Sequence, residues 1–273
     1  MDYNKTAIFS DLDGTLFNKQ GKISPENIAA IEKYMAAGGL FALSTGRAPR
    51  NAQRILTGLR TNAPSIMFNG ASYFNLTAGE GGLIASIDMN AAKEFLELCM
   101  QELPDSDLQI YTEEEIFYLT SLETADQAFL AAHQPCRRIT MDEALEHRWV
   151  KCLVLGCLED MDKCEAMLAD YRDSMDYVRA ACDITPDEYI ELLPHGANKG
   201  TALAALRKEP AFEGRTIIAA GDYRNDRELL AEADIAVAPI SGLEEIKEMA
   251  DYIGPDNDNH LMKYIIDELI PSL

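Results

Sequence analysis

The stretch Ile8-Phe9-Ser10-Asp11-Leu12-Asp13-Gly14-Thr15-Leu16-Phe17 decides how the chain is read. An apolar run stops at two carboxylates and a glycine, the pattern of a buried strand that ends at a reaction centre. On extended backbone the side chains at i and i+2 leave by the same face, so Asp11 and Asp13 are expected to point into one small volume beyond the strand's C-terminal end. Two carboxylates that close resist ionising together. Either a divalent cation lies between them, or one keeps a proton and serves as an acid. Gly14 lets the chain turn sharply, and Thr15 can tie its hydroxyl back to the backbone. Such a site is prepared for metal-assisted attack by a carboxylate. An ordinary Asx-turn would use the same residues. A calcium loop of the EF-hand type would not, because its twelfth position would be Lys22, where a bidentate Glu is needed.

Composition bounds what surrounds this stretch. At 273 residues and 47% hydrophobic content the chain can hold one large or two modest domains, each with a real core. Lys and Arg total 24 against 46 for Asp and Glu, a formal charge of -22. A field of that sign repels nucleic acid and anionic membranes, so neither is an expected partner. It also repels phosphorylated metabolites at long range, so a phosphate site must carry its own positive charge. Six cysteines without a Cys-x-x-Cys pair form neither a disulfide scaffold nor a zinc signature. The opening residues have no apolar h-region, and no segment approaches 18 consecutive apolar residues. A soluble cytoplasmic protein is expected.

Outward from the first strand, Ser24-Pro25-Glu26 opens a helix with a hydroxyl cap and a proline in the first turn, and Gly38-Gly39 ends it. A second strand, Leu40 to Ser44, runs into Thr45-Gly46-Arg47, a hydroxyl, a glycine and an arginine suited to an anion. The helix from Pro49 to Leu59 would aim its N-terminal amides the same way. A third strand, Ser65 to Phe68, ends at Asn69-Gly70. That pair is a strong hairpin signal, but the glycine-rich run Gly79 to Gly82 supplies a better turn between Tyr73-Phe74 and Leu83-Ile84-Ala85, so the chain is expected to continue past Asn69. From about Ser86 to Leu193 helices (Ala91 to Leu103, Ala125 to His133, Met161 to Arg172) alternate with paired short strands (Leu108 to Thr112, Ile116 to Thr120, Val150 to Leu158, Tyr177 to Ala181, Tyr189 to Leu193). That texture reads as an inserted α+β domain on an antiparallel sheet, with Cys152 and Cys157 as small core residues. Lys199 then falls in the first turn of a helix running to Leu206, where the helix dipole disfavours a cation unless an anion accompanies it. The strand Thr216 to Ala220 ends in Gly221-Asp222-Tyr223-Arg224-Asn225-Asp226. A strand from Asp234 to Ala238 precedes a helix that Ser241 and Glu244 would open as a capping box, and a helix from Leu261 to Leu269 closes the chain.

Strands alternating with helices on both sides of the insertion give an α/β fold, a doubly wound parallel sheet that binds ligands at the carboxyl ends of its strands. Asp11 with Asp13, Thr45 with Arg47, Asn69, and Asp222 with Asn225 and Asp226 all fall at such ends. Independent turns would have no reason to gather on one edge of one sheet.

Asp11-Leu12-Asp13-Gly14-Thr15, Ser44-Thr45-Gly46-Arg47, Asn69-Gly70, Asn198-Lys199-Gly200 and Gly221-Asp222-x-x-Asn225-Asp226 match, in order and spacing, the motifs of the haloacid dehalogenase superfamily. The chain more narrowly resembles its Cof-type sugar-phosphatase branch. The resemblance implies a Rossmann-like core, residues 1–85 and 194–273, interrupted by an α+β cap, residues 86–193. It also implies a phosphatase of small phosphorylated metabolites, sugar phosphates foremost. Asp11 would be the nucleophile that becomes an aspartyl phosphate, and Asp13 the general acid that then helps activate water. Thr45 and Lys199 would hold the phosphoryl group, with Gly46, Arg47, Asn69 and Asn225 also on the phosphate side. Mg²⁺ would lie among Asp11, Asp13 (through its carbonyl) and Asp222, while Asp226 and Asn225 support the metal's waters and Lys199. Two stretches depart from the family: Pro239-Ile240-Ser241 replaces an Asn-Ala pair, and Asp256-Asn257-Asp258-Asn259-His260 replaces an acidic-Gly-Val run. A phosphomutase on the same scaffold, or a Mg²⁺-binding regulatory module without turnover, would share most of these residues. The intact Asp13 counts against the last.

Overall fold

The computed structural model describes residues 2–56, 58–120, 136–182 and 186–273. Two compact units emerge: Met1–Ile84 with Asn198–Leu273, and Ala85–Ala197 between them in sequence. In chain order the strands are β1 (Thr6–Ser10), β2 (Leu40–Leu43), β3 (Ser65–Met67), β4 (Ser72–Asn75), β5 (Glu80–Leu83), β6 (Asp107–Tyr111), β7 (Ile116–Tyr118), β8 (Cys136–Arg138), β9 (Lys151–Gly156), β10 (Met175–Ala181), β11 (Glu188–Pro194), β12 (Thr216–Ala220), β13 (Ile235–Pro239) and β14 (Tyr252–Gly254).

In the first unit a five-stranded sheet runs β14-β13-β12-β1-β2 with every pairing parallel. Because successive side chains alternate, Ile8, Phe41, Leu43, Ile218 and Val237 face one way, onto Ile31, Tyr34, Met262 and Ile266 of the helical segments on that side. Ala7, Phe9, Ala42, Ile217, Ala219 and Ala236 face the other, onto Leu203, Leu206 and Leu229. Both faces are covered, which is why these strands read as unbroken apolar runs instead of alternating ones. From β1 the chain passes to β2 on one side and later to β12 on the other, so the point where strand order reverses lies between β1 and β12. The helix Pro25–Ala36 begins as its sequence indicates, with the Ser24 hydroxyl accepting from the Asn27 N–H at 3.3 Å.

Three expectations need correction. Asn69-Gly70 does sit in a hairpin: β3 pairs antiparallel with β4, Met67 opposite Ser72, and β4 pairs again with β5 across the glycine-rich turn. Both turn signals are used, and Phe68 and Asn69 take left-handed backbone (φ 51° and 53°) to make the first. The capping box of Ser241 and Glu244 does not form. Gly242 N–H bonds Pro239 O and Leu243 N–H bonds Asp222 O, so the helix Glu244–Lys247 starts only after Leu243. Cys152 is buried in β9, but Cys157 stands just before the helix Leu158–Met167, makes no side-chain capping bond and is exposed.

The unit Ala85–Ala197 is an α+β fold on a six-stranded sheet, order β10-β11-β9-β6-β7-β8, antiparallel except for β7 with β8. Helices Met89–Glu102 and Leu158–Met167 bring Phe95, Leu96, Met161 and Cys164 into one core with Leu108, Ile110, Val154, Ile190 and Trp149. Gln109, Tyr111, Lys151 and Glu191 alternate with these core positions along their strands, and Lys151 is ion-paired with Glu191. The expected helix from Ala125 to His133 lies outside the described residues. Among the described residues, no helix is long and apolar enough to cross a membrane.

Candidate active site

The strand ends of the first unit build the site. Asp11 follows β1 directly, its N–H donating to Ala220 O of β12 at 2.9 Å, so the sheet's own register fixes where its carboxylate begins. The chain then folds through Leu12–Leu16, closed by Phe17 N–H on Leu12 O at 2.8 Å. Gly14 at the centre has φ 85°, and a Cβ there would lie 2.2 Å from Asp222 Oδ2. Only glycine allows the turn after β1 to pack this closely on the turn after β12. Thr15, whose hydroxyl the sequence would return to the backbone, instead donates to Asp222 Oδ1 at 2.6 Å. Its partner lies 207 residues away, which no local pattern announces.

Lys199 is the centre of charge. It opens the helix Lys199–Leu206 behind an Asn198 cap that accepts from Thr201 N–H. Gly200 lets that helix approach the helix Arg227–Glu232, since a Cβ there would meet Glu228 O at 2.3 Å. With 0% of its side chain exposed, Lys199 Nζ bonds Asp11 Oδ1 at 2.7 Å and Asp226 Oδ1 at 2.6 Å. The other oxygen of Asp226 accepts from the N–H groups of Asp222 and Tyr223. Asp226 is therefore a buttress with both oxygens engaged.

Burial penalises every charge here. Burial pushes the Asp11 carboxyl well up, Lys199 draws it back, and Asp226 and Asp222 add to the rise. Asp222 is pushed up to about 6, by burial first and by Asp226 and Asp13, against the hydrogen bond from Thr15. Burial alone would discharge Lys199, but the charges and hydrogen bonds of Asp11 and Asp226 outweigh it and hold the lysine firmly protonated. One cation among three acids leaves surplus negative charge. Carboxylate oxygens of Asp11, Asp222 and Asp226 lie within 4.8 Å of one another. A hard oxygen donor set with excess negative charge fits Mg²⁺.

The remaining expected residues divide. Thr45 is buried at the end of β2, with its carbonyl accepting from Asn69 N–H at 3.0 Å. Asn225 Nδ2 donates to Asn69 Oδ1 at 3.1 Å, and a Cβ on Gly46 would meet Asn69 Nδ2 at 2.8 Å, so Gly46, Asn69 and Asn225 converge. Asp13 stands outside the convergent acids: its carboxylate is bound by Arg47, Nε to Oδ2 at 2.9 Å and Nη2 to Oδ1 at 2.8 Å. The arginine expected on a phosphate thus sits on the second aspartate of the first motif.

The chain belongs to the haloacid dehalogenase-like hydrolases, whose family model matches residues 8–265. It is 25% identical to the 5-amino-6-(5-phospho-D-ribitylamino)uracil phosphatase YwtE of Bacillus subtilis over 97% of this chain and 98% of that protein. It is 26% identical to an HMP-PP phosphatase of Escherichia coli over 81% of this chain and 78% of that one. A haloacid dehalogenase-like hydrolase from Bacteroides thetaiotaomicron superposes with a TM-score of 0.80 at 25% identity, covering 97% of this chain and 99% of its own.

Proposed function

We propose that this protein is a Mg²⁺-dependent phosphatase of small phosphorylated metabolites, sugar and sugar-alcohol phosphates foremost, working through an aspartyl phosphate on Asp11. The observation that carries the reading is the buried Lys199 bridging Asp11 and Asp226, because it holds a carboxylate at a strand end beside a fixed cation able to receive a phosphoryl group. Two relatives named as phosphatases of small phosphorylated metabolites support the substrate class.

In this reading Asp11 attacks phosphorus and the ester P–O bond breaks. Asp13 gives its proton to the departing alkoxide, which leaves as the alcohol. Water then attacks phosphorus, Asp13 takes up its proton, and the bond between phosphorus and Asp11 breaks to release inorganic phosphate. Lys199 offsets the repulsion between the carboxylate and the phosphoryl oxygens, about 4 kcal/mol for unit charges ~4 Å apart at an effective dielectric of 20. Thr45, Gly46, Asn69 and Asn225 line the phosphoryl side. Asp11, Asp222 and the Asp13 carbonyl would hold Mg²⁺, which supplies further charge neutralisation, and Asp226 keeps Lys199 and the Asp222 turn in place. The intact Asp13 favours turnover over a purely regulatory role.

The test is phosphate release from a panel of sugar phosphates, nucleotides and cofactor phosphates, with Mg²⁺ and with EDTA, for wild type and Asp11→Asn. Mg²⁺-dependent release that falls at least ~10²-fold in Asp11→Asn is expected. Release that survives EDTA, or more than about a hundredth of activity in the variant, contradicts the reading. A requirement for a bisphosphate activator would mark a mutase instead.

A further inference from the structure

The pairing of Arg47 with Asp13 carries a role that the rest of the site does not explain. We propose that Arg47 is a positioning residue for proton transfer: it holds the plane of the Asp13 carboxylate and is not an anchor for the phosphoryl group. The inference rests on the reading of Asp13 as proton donor.

The geometry gives each motif aspartate its own cation. Asp11 has Lys199, and Asp13 has Arg47 in a two-pronged pair, both oxygens engaged by different nitrogens. A lysine is a point charge that a carboxylate can swing around, whereas the planar guanidinium fork fixes direction as well as distance. Arg47 is itself tied at both ends. Its N–H donates to Thr45 Oγ1 at 3.2 Å, its carbonyl accepts from Phe68 N–H at 3.2 Å, and Nη1 reaches Asn51 Oδ1 at 3.4 Å in the helix Pro49–Ile55. The fork is thus referred to the ends of β2 and β3 and not to the flexible turn that carries Asp13.

Position explains the need. The Asp13 side chain is 58% exposed and follows a sharp turn, while Asp11 is buried and bonded into the sheet. Without the fork, nothing described holds the Asp13 carboxylate in one orientation. A guanidinium favours the ionised carboxylate, so Arg47 contributes direction and not acidity: in the proposed reaction the proton given to the alkoxide is carried on a lone pair outside the fork, and the carboxylate left behind is the form the fork holds as it turns to water.

The experiment separates the acid from the phosphate by leaving group. An alkyl phosphate needs its alkoxide protonated, whereas 4-nitrophenyl phosphate releases a stable phenolate without help. Arg47→Lys and Arg47→Gln are measured on the best sugar phosphate in steady state, and on 4-nitrophenyl phosphate in a single turnover. We expect kcat on the sugar phosphate to fall about 10²-fold at unchanged KM, in the range of general-acid effects, while first-turnover nitrophenolate release stays within about 3-fold of wild type. Adding Arg47→Lys to Asp13→Asn should cost nothing more, because the two act as one unit. Equal losses on both substrates with a raised KM would overturn the proposal and make Arg47 a phosphate anchor. Asp13→Asn alone tests the underlying reading: if it spares sugar-phosphate turnover, Asp13 is not the donor. If it shows the leaving-group pattern and the Arg47 variants do not, only the present inference falls.

Discussion

Asp222 shows how much of the chemistry rests on a single carboxyl. Its acidity is pushed up to about 6, by burial first, above the ordinary value of 3.8. The folded state therefore holds more protons than the unfolded one between about pH 4 and 6, so without a divalent cation this group favours folding as the pH falls through that window and contributes nothing favourable at neutrality. A cation reverses the preference by requiring the ionised form. The half-saturating Mg²⁺ concentration for phosphate release is thus expected to rise as pH falls from 7 through 6, and Asp222→Asn should raise it at least ~10-fold at pH 7 with the fold retained. Magnesium titrations at three pH values decide it. A half-saturation point that neither pH nor the substitution moves would take Asp222 out of the metal's ligands.

At the scale of elements, the turns after β1 and β12 are parts of one structure. Gly14→Ala would strain a residue at φ 85° and press a methyl group into Asp222. Backbone strain of this kind costs roughly 1–3 kcal/mol, and relief by moving Asp222 would weaken the proposed metal site. The variant should melt several degrees lower and need more Mg²⁺, which thermal denaturation and metal titration measure together. A wild-type melting point and metal requirement would show the two turns to be independent. The ends of β1, β2 and β12 were legible in the sequence because each apolar run stops abruptly at polar residues. Lys199 was legible because a cation in a first helical turn needs an anion. Asn69 and Ser241 misled for one reason: a short turn signal says that a turn is possible, while tertiary pairing decides which turns form. Here both hairpin turns formed, and the bond from Leu243 N–H to Asp222 O displaced the capping box. The bonds from Arg47 to Asp13 and from Thr15 to Asp222 were illegible, because they depend on how strands distant in sequence align side by side.

For the whole molecule, what the sequence conveyed best was convergence. Asp11, Thr45, Asn69 and Asp222 are spread over more than two hundred residues, and a parallel sheet reversing its order between β1 and β12 brings their strand ends to one edge. The unit Ala85–Ala197, with its own core around Phe95, Trp149 and Val154, was legible as α+β from its paired short strands. A chain carrying a charge of -22 that nonetheless handles an anionic ester must concentrate its positive charge, and Lys199 is where it does so within the core. The central claim is that Asp11 itself carries the phosphoryl group between substrate and water. It is tested most directly in Asp13→Asn, where the good leaving group of 4-nitrophenyl phosphate should permit the first transfer, while the second, in which the proposed mechanism uses Asp13 as base, should be slowed. Acid quenching after mixing with Mg²⁺ and 4-nitrophenyl phosphate, then peptide mapping by mass spectrometry, should find one added phosphoryl group on the peptide containing Asp11, and none when Asp11→Asn is added. If wild type turns over that substrate while no phosphoryl group is found on Asp11 in the quenched variant, the covalent route is contradicted.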